Sequence, residues 1–243
     1  MVKGANCIII DCETELAAED CLLCHQPRVG HEGPEAWCHA TVTASAEDRY
    51  LAIGWDRKHV LGLSLGCYHD YQDMALHWFD RATLLATVQY FLTRQPLLVS
   101  FNGLGFDYPL MRAVLRKDNT EQSLAVEELC VEFKAFVAAS YDILATIWDA
   151  DPQGRKVRGL NGLDAVSQAN GFGAKLMDAQ QAAHAWAQGR YAEVIAYNVD
   201  DVLKTKALFE LILDKGGLFR GDERWLALPG PMMAQPMRPQ AVR

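Results

Sequence analysis

Along the chain, short uninterrupted apolar runs alternate with longer stretches in which apolar residues recur every three or four positions. Runs bounded by polar residues read as buried strands, and the longer periodic stretches as helices with one apolar face. Residues 6–13, Asn-Cys-Ile-Ile-Ile-Asp-Cys-Glu, predict a buried first strand. Residues 60–68 and 75–79 predict two antiparallel strands joined through residues 69–74. Asp80 is placed to cap a helix in which Leu84, Leu85, Val88, Phe91 and Leu92 share a face. Residues 97–101 predict a fourth strand ending at Asn102-Gly103. A helix is expected from about Asp107, with Pro109 in its first turn, where a missing N–H costs little. Residues 141–144 are a candidate fifth strand, and a short helix is expected over 162–169 before Asn170-Gly171. The last long helix spans about 192–213.

Two segments break this rhythm. Residues 14–58 scatter Gly, Pro, Glu, Cys and His without a period and read as an insertion after the first strand. From residue 226 the chain holds Pro229, Pro231, Pro236 and Pro239 and reads as a proline-rich tail over 226–243. The rest, 1–225, is expected to form one domain, a size that fits 243 residues of which 50% are hydrophobic. No apolar run approaches the roughly 18 residues that span a bilayer. The opening residues also lack the basic region and cleavage site of a secretory signal. A cytoplasmic location with no membrane partner is expected. In that compartment the seven cysteines read as free thiols or metal ligands rather than disulfides. The formal net charge of −8 argues against a broad nucleic-acid footprint. It leaves open a site that touches a few nucleotides through carboxylates neutralised by cations.

Three places carry candidate chemistry. Asp11 and Glu13 are two apart on a predicted strand and point to the same face. Two neighbouring carboxylates at the end of a buried strand repel each other unless a cation lies between them. Oxygen-only ligands favour Mg²⁺ or Mn²⁺. Asp107 follows Asn102-Gly-Leu-Gly-Phe, a glycine-bearing turn from strand to helix. Tyr197 and Asp201 are one helical turn apart, in a stripe with Val194, Thr205, Leu208 and Ile212, so Asp201 sits on an apolar, inward face. Each has an ordinary alternative by itself: a chance Asp-x-Glu, a plain N-cap aspartate, a core tyrosine.

Taken in order, Ile-Ile-Ile-Asp11-x-Glu13-Thr14, Asn102-x-x-x-Phe106-Asp107-x-Pro-Leu and Tyr197-x-x-x-Asp201 resemble the motifs of the DEDD 3′→5′ exonucleases. The Tyr-x-x-x-Asp ending is similar to the tyrosine branch, closest to the exonuclease domains of family-B DNA polymerases and their stand-alone relatives. The resemblance implies an RNase H-like α/β fold: a mixed five-stranded sheet flanked by helices. It implies that Asp11, Glu13, Asp107 and Asp201 hold two Mg²⁺ or Mn²⁺ ions, that Tyr197 positions the attacking water, and that Thr14, Asn102 and Phe106 shape the substrate site. The implied substrate is the 3′ end of single-stranded nucleic acid, DNA ahead of RNA, with nucleoside 5′-monophosphates as products. A replication or repair protein is the implied kind of partner. The competing reading is a catalytically silent nucleic-acid-binding or assembly module on the same fold. Asp142, near the sheet edge, is read as structural.

The insertion departs from the family pattern. Cys21-Leu-Leu-Cys24, followed by Cys38-His39, has spacing that suits a structural Zn²⁺. Without a second Cys-x-x-Cys, the alternative is a set of free thiols in a loop. Cys7 and Cys12 are expected in the core.

Overall fold

The computed structural model describes residues 5–15, 61–119, 123–157 and 159–231. Strand β1 (Cys7–Glu15) pairs antiparallel with β2 (Gly62–Asp70), which pairs antiparallel with β3 (Ala75–Phe79). On its other side β1 runs parallel to β4 (Leu97–Ser100), and β4 runs parallel to β5 (Tyr141–Asp142). The sheet order is β3-β2-β1-β4-β5, the mixed five-stranded arrangement expected, so β1 is central and its end is the middle of the sheet edge.

The alternation of β1 separates two cores. Ile8, Ile10 and Cys12 pack with α1 (Leu84–Arg94), α2 (Asp107–Asp118) and α3 (Ser123–Val137). Cys7 and Ile9 pack with α4 (Ile143–Ala150), α5 (Leu163–Ala169) and the long helix running Tyr191–Lys215. Between α5 and that helix, which is α7, lies α6 (Ala179–Ala187); it joins Leu65, Val194 and Tyr197 in a third, smaller cluster. With both faces covered, β1 reads as a continuous apolar run rather than an alternation. Truncating a fully buried residue such as Ile9 or Ile10 to alanine costs about 2–5 kcal/mol. Helix α7 ends at Gly216, whose φ of 72° suits a residue without Cβ and lets its N–H reach the Ile212 carbonyl.

Several expectations need correction. Asp80 does not cap α1: its carboxylate accepts the N–H of Thr83 at 2.9 Å and the Thr83 hydroxyl at 2.8 Å, closing a turn one step upstream. Residues 141–144 are strand only at Tyr141 and Asp142. Asp142 accepts the N–H of Ala145 at 3.1 Å and starts α4 at once. Helices α3 and α6 were not anticipated. Chain folding also continues past residue 226: β6 (Gly217–Phe219) pairs antiparallel with β7 (Trp225–Ala227), and Leu226 and Leu228 are buried in the second core. Cys7 and Cys12 are core residues, as expected. The zinc candidates Cys21, Cys24, Cys38 and His39 lie outside the described residues, as does most of the 14–58 insertion. Among the described residues no helix is long and apolar enough to cross a membrane.

Candidate active site

Strand β1 delivers two carboxylates. Asp11 stands opposite Cys67 and Glu13 opposite Leu65 on β2, and the register slips immediately after, between Glu13 and Thr14. Such a bulge bends the strand and re-aims its side chains. Helix α7 delivers the third, Asp201, on the buried stripe with Val194, Tyr197, Thr205, Leu208 and Ile212 that the spacing predicted. One carboxylate oxygen from each of Asp11, Glu13 and Asp201 lies within 4.8 Å of the others.

Asp107 stands beside this trio rather than within it. It opens α2, is buried, and its Oδ1 accepts the backbone N–H of Cys12, the residue between Asp11 and Glu13, at 2.8 Å. Asn102, with φ 75°, makes the sharp exit from β4 that brings α2 there. Asparagine tolerates this left-handed conformation better than most residues. The same turn is riveted by Asp142, which accepts the N–H groups of Asn102 at 3.0 Å and Leu104 at 2.9 Å. Asp142 is therefore structural, as read from the sequence, and it joins the turn to the start of α4.

The electrostatics follow from crowding. Burial first, then the charges of Asp107, Asp201 and Glu13, push Asp11 well above the ordinary carboxylate range. Glu13 is raised by burial and by Asp201. Asp107 is raised to about 7, again by burial first, despite the hydrogen bond from Cys12. Asp201 is raised by burial, with Lys175 pulling the other way. Four carboxylates that resist ionisation in one place are a cluster waiting for positive charge.

Part of that charge is built in, at a residue sequence reasoning missed. Lys175 Nζ lies 2.5 Å from Asp201 Oδ2 and 4.7 Å from the Tyr197 ring centroid. Its loop is held by its own N–H, which donates to Asp164 Oδ1 at 2.7 Å. Burial works against the Lys175 ammonium, but Asp201 and Asp11 outweigh it and hold its pKa above the ordinary value. A second missed residue, Asn198, is fully buried and donates from Nδ2 to Asp11 Oδ2 at 2.7 Å. Its place beside Tyr197, three residues before Asp201, was a readable signal. Lys175 had none beyond the need for a counter-charge.

Lys175 lines one cavity of about 500 Å³ with the carboxylates of Asp11, Glu13 and Asp201, and the cavity also takes in Thr14, Asn102 and Phe106. Thus Asp11, Glu13, Tyr197 and Asp201 share one cavity with the three residues expected to shape it. Asp107 is held directly behind. Among the described residues one ammonium serves four crowded carboxylates, and the buried Asp201 Oδ1 has no hydrogen-bond partner there. An oxygen-only donor set with an orphaned inward oxygen fits a hard divalent cation.

A family model described as RNase_H superfamily matches residues 54–213. The match takes in Asp107, Lys175, Tyr197 and Asp201, while Asp11 and Glu13 precede it. No curated protein matches the chain.

Proposed function

The chain belongs to the RNase H superfamily, and on that premise we propose that it is a metal-dependent 3′→5′ exonuclease of the DEDD tyrosine branch acting on single-stranded nucleic acid, DNA ahead of RNA. The superfamily carries nuclease chemistry with divalent metal ions. The observation that supports the finer reading is the convergence of Asp11, Glu13 and Asp201 within 4.8 Å, with Asp107 hydrogen-bonded behind them.

In this reading Asp11, Glu13 and Asp201 hold Mg²⁺ or Mn²⁺, and Asp107 completes the set through the oxygen that Cys12 does not occupy. When bound, the ions supply an activated water and charge stabilisation at the phosphodiester. The protein's own groups do the rest. Asn198 fixes the rotamer of Asp11. Tyr197 keeps its phenolic proton, because burial and the charges of Glu13, Asp201 and Asp11 raise its pKa. It is therefore a donor, able to orient a water or a phosphate oxygen without taking up a proton. Lys175 offers a second positive contact for the phosphate once Asp201 turns to metal. Phe106 and Thr14 line the space for the terminal nucleotide.

The silent-module reading draws support from Lys175, since an ammonium on Asp201 is what a metal-free relative would keep. It leaves the orphaned Asp201 Oδ1 and the crowding of four carboxylates around one ammonium unexplained. The deciding experiment uses 5′-labelled single-stranded DNA and RNA oligomers with Mg²⁺ or Mn²⁺, resolved on a sequencing gel. Stepwise shortening from the 3′ end, abolished by EDTA and by Asp11→Ala, supports the exonuclease. Internal cuts, or binding without cleavage, overturn it.

A further inference from the structure

One wall of the cavity has no part in the chemistry above. Trp148, on α4, lines the same space as Asp11, Glu13, Tyr197 and Asp201. The guanidinium of Arg155, on the loop that leaves α4, lies over the Trp148 ring, 4.6 Å from its centroid. Arg155 is exposed, and among the described residues it has no carboxylate partner. Two other arginines, Arg220 and Arg224, both pair with Asp151 instead. Arg155 is therefore held by an aromatic face instead of an anion, an arrangement that keeps its hydrogen-bond donors available.

The chain also needs a cation there. With a net charge of −8 and four carboxylates at the site, a phosphate backbone approaches against repulsion until metal is bound. Arginine beside an exposed aromatic edge is the combination that takes single strands, the ring receiving a base or sugar and the guanidinium a phosphate. The frame is rigid. Asp142 starts α4, which carries Trp148, and binds the N–H groups of Asn102 and Leu104 in the turn that leads to Phe106.

We propose that Trp148 and Arg155 form a single-strand subsite at the mouth of the cavity, Trp148 contacting an unpaired base and Arg155 the adjoining phosphate. This rests on the nuclease reading and deepens it: the subsite selects unpaired ends, because a base held in a duplex cannot reach the indole.

The test measures binding of a fluorescein-labelled 12-nucleotide oligo-dT to the full chain by anisotropy, with Ca²⁺ replacing Mg²⁺. The probe is used single-stranded, annealed to its complement, and with abasic nucleotides at its 3′ end. Trp148→Ala is expected to weaken single-strand binding about 5–100-fold, the range of one base–aromatic contact. Trp148→Phe should keep most of the affinity. Abasic substitution should weaken binding to the wild type but not to Trp148→Ala. Arg155→Ala should lower the slope of log single-strand affinity against log salt by about 0.7, the loss of one phosphate contact. The abasic arm on the wild type and the Arg155→Ala arm decide the matter if Trp148→Ala does not fold. Wild type that binds and cuts single strands, with affinity unchanged in Trp148→Ala and salt slope unchanged in Arg155→Ala, overturns the subsite and leaves the nuclease reading standing. Equal affinity for the duplex also overturns the subsite. A wild type that binds no oligomer and cuts none overturns both.

Discussion

Asn198 donates from Nδ2 to Asp11 Oδ2 at 2.7 Å, tying the last long helix to the first strand across 187 residues of chain. The bond holds a carboxylate that its neighbours repel. Partners that orient a metal ligand typically change metal affinity by about 10–100-fold when removed. Asn198→Ala is expected to weaken Mn²⁺ binding by about that factor, read by calorimetric titration. A variant that only lowers the thermal midpoint, with Mn²⁺ affinity intact, would show that Asn198 is a packing residue.

Lys175 is the built-in counter-ion of the cluster, so its value depends on whether metal is present. In EDTA, Lys175→Met leaves the carboxylates uncompensated. The expected loss is about 2–3 kcal/mol, below the roughly 3–5 kcal/mol that breaking a fully buried pair costs, because the Lys175 side chain keeps 21% exposure. With saturating Mn²⁺ the same substitution should cost much less, since metal charge replaces the ammonium. Chemical denaturation under both conditions measures the difference. Equal losses with and without Mn²⁺ count against the counter-ion role.

The fold and the carboxylates were legible for a shared physical reason. Asp11 and Glu13 interrupt an apolar run, and Asp201 interrupts an apolar helical stripe; a charge in either place is a conflict that the periodicity exposes. What stayed hidden was set by tertiary contact. Lys175 comes from an irregular loop, and its meaning depends on where Asp164 pins that loop. Trp148 lies beyond the 141–144 segment read as strand, and no local spacing says that its indole reaches the cavity. Helix α3 was missed although Val126, Cys130, Phe133 and Val137 keep helical spacing. The hairpin of β6 and β7 was masked by the prolines that follow it.

Stability should depend on pH in a way that metal removes. Asp107 has its pKa raised to about 7 in the folded protein, above its ordinary unfolded value, and Asp11, Glu13 and Asp201 are raised as well. A raised carboxylate makes the folded state bind the extra proton. Its contribution is fully present below the unfolded pKa and lost as pH rises through the folded one. For Asp107 the window runs from about 4 to about 7. In EDTA the stability of the wild type should therefore fall across this window relative to Asp107→Asn. Saturating Mn²⁺ should flatten that relative slope, because the metal favours the ionised form. Parallel curves for wild type and variant in EDTA would mean that Asp107 is not protonated at neutral pH.

Tyr197 separates positioning from metal holding. Its ring is 1% exposed, packs with Leu65, Ala182, Ala185 and Val194, and lies 4.7 Å from Lys175 Nζ. Tyr197→Phe keeps the ring, its packing and the contact with the ammonium, and removes only the hydroxyl. Loss of one buried hydroxyl costs about 1 kcal/mol of stability, so the variant should fold. Mn²⁺ affinity should fall far less than in Asp201→Asn, because the phenol remains protonated and is a hydrogen-bond partner of Asp201 rather than a ligand. Turnover is a different matter: a group that orients the attacking water contributes about 10–10³-fold, and that loss should fall on kcat with KM little changed. Asp201→Asn should show the opposite pattern, with weakened metal binding and partial rescue by excess Mn²⁺, which Tyr197→Phe should not share. The two variants are compared in single-turnover reactions on the same labelled oligomer. Wild-type turnover of Tyr197→Phe from about pH 6 to 9, below the free phenol's own titration, would reduce Tyr197 to a core residue and remove the chemical basis for the tyrosine-branch assignment.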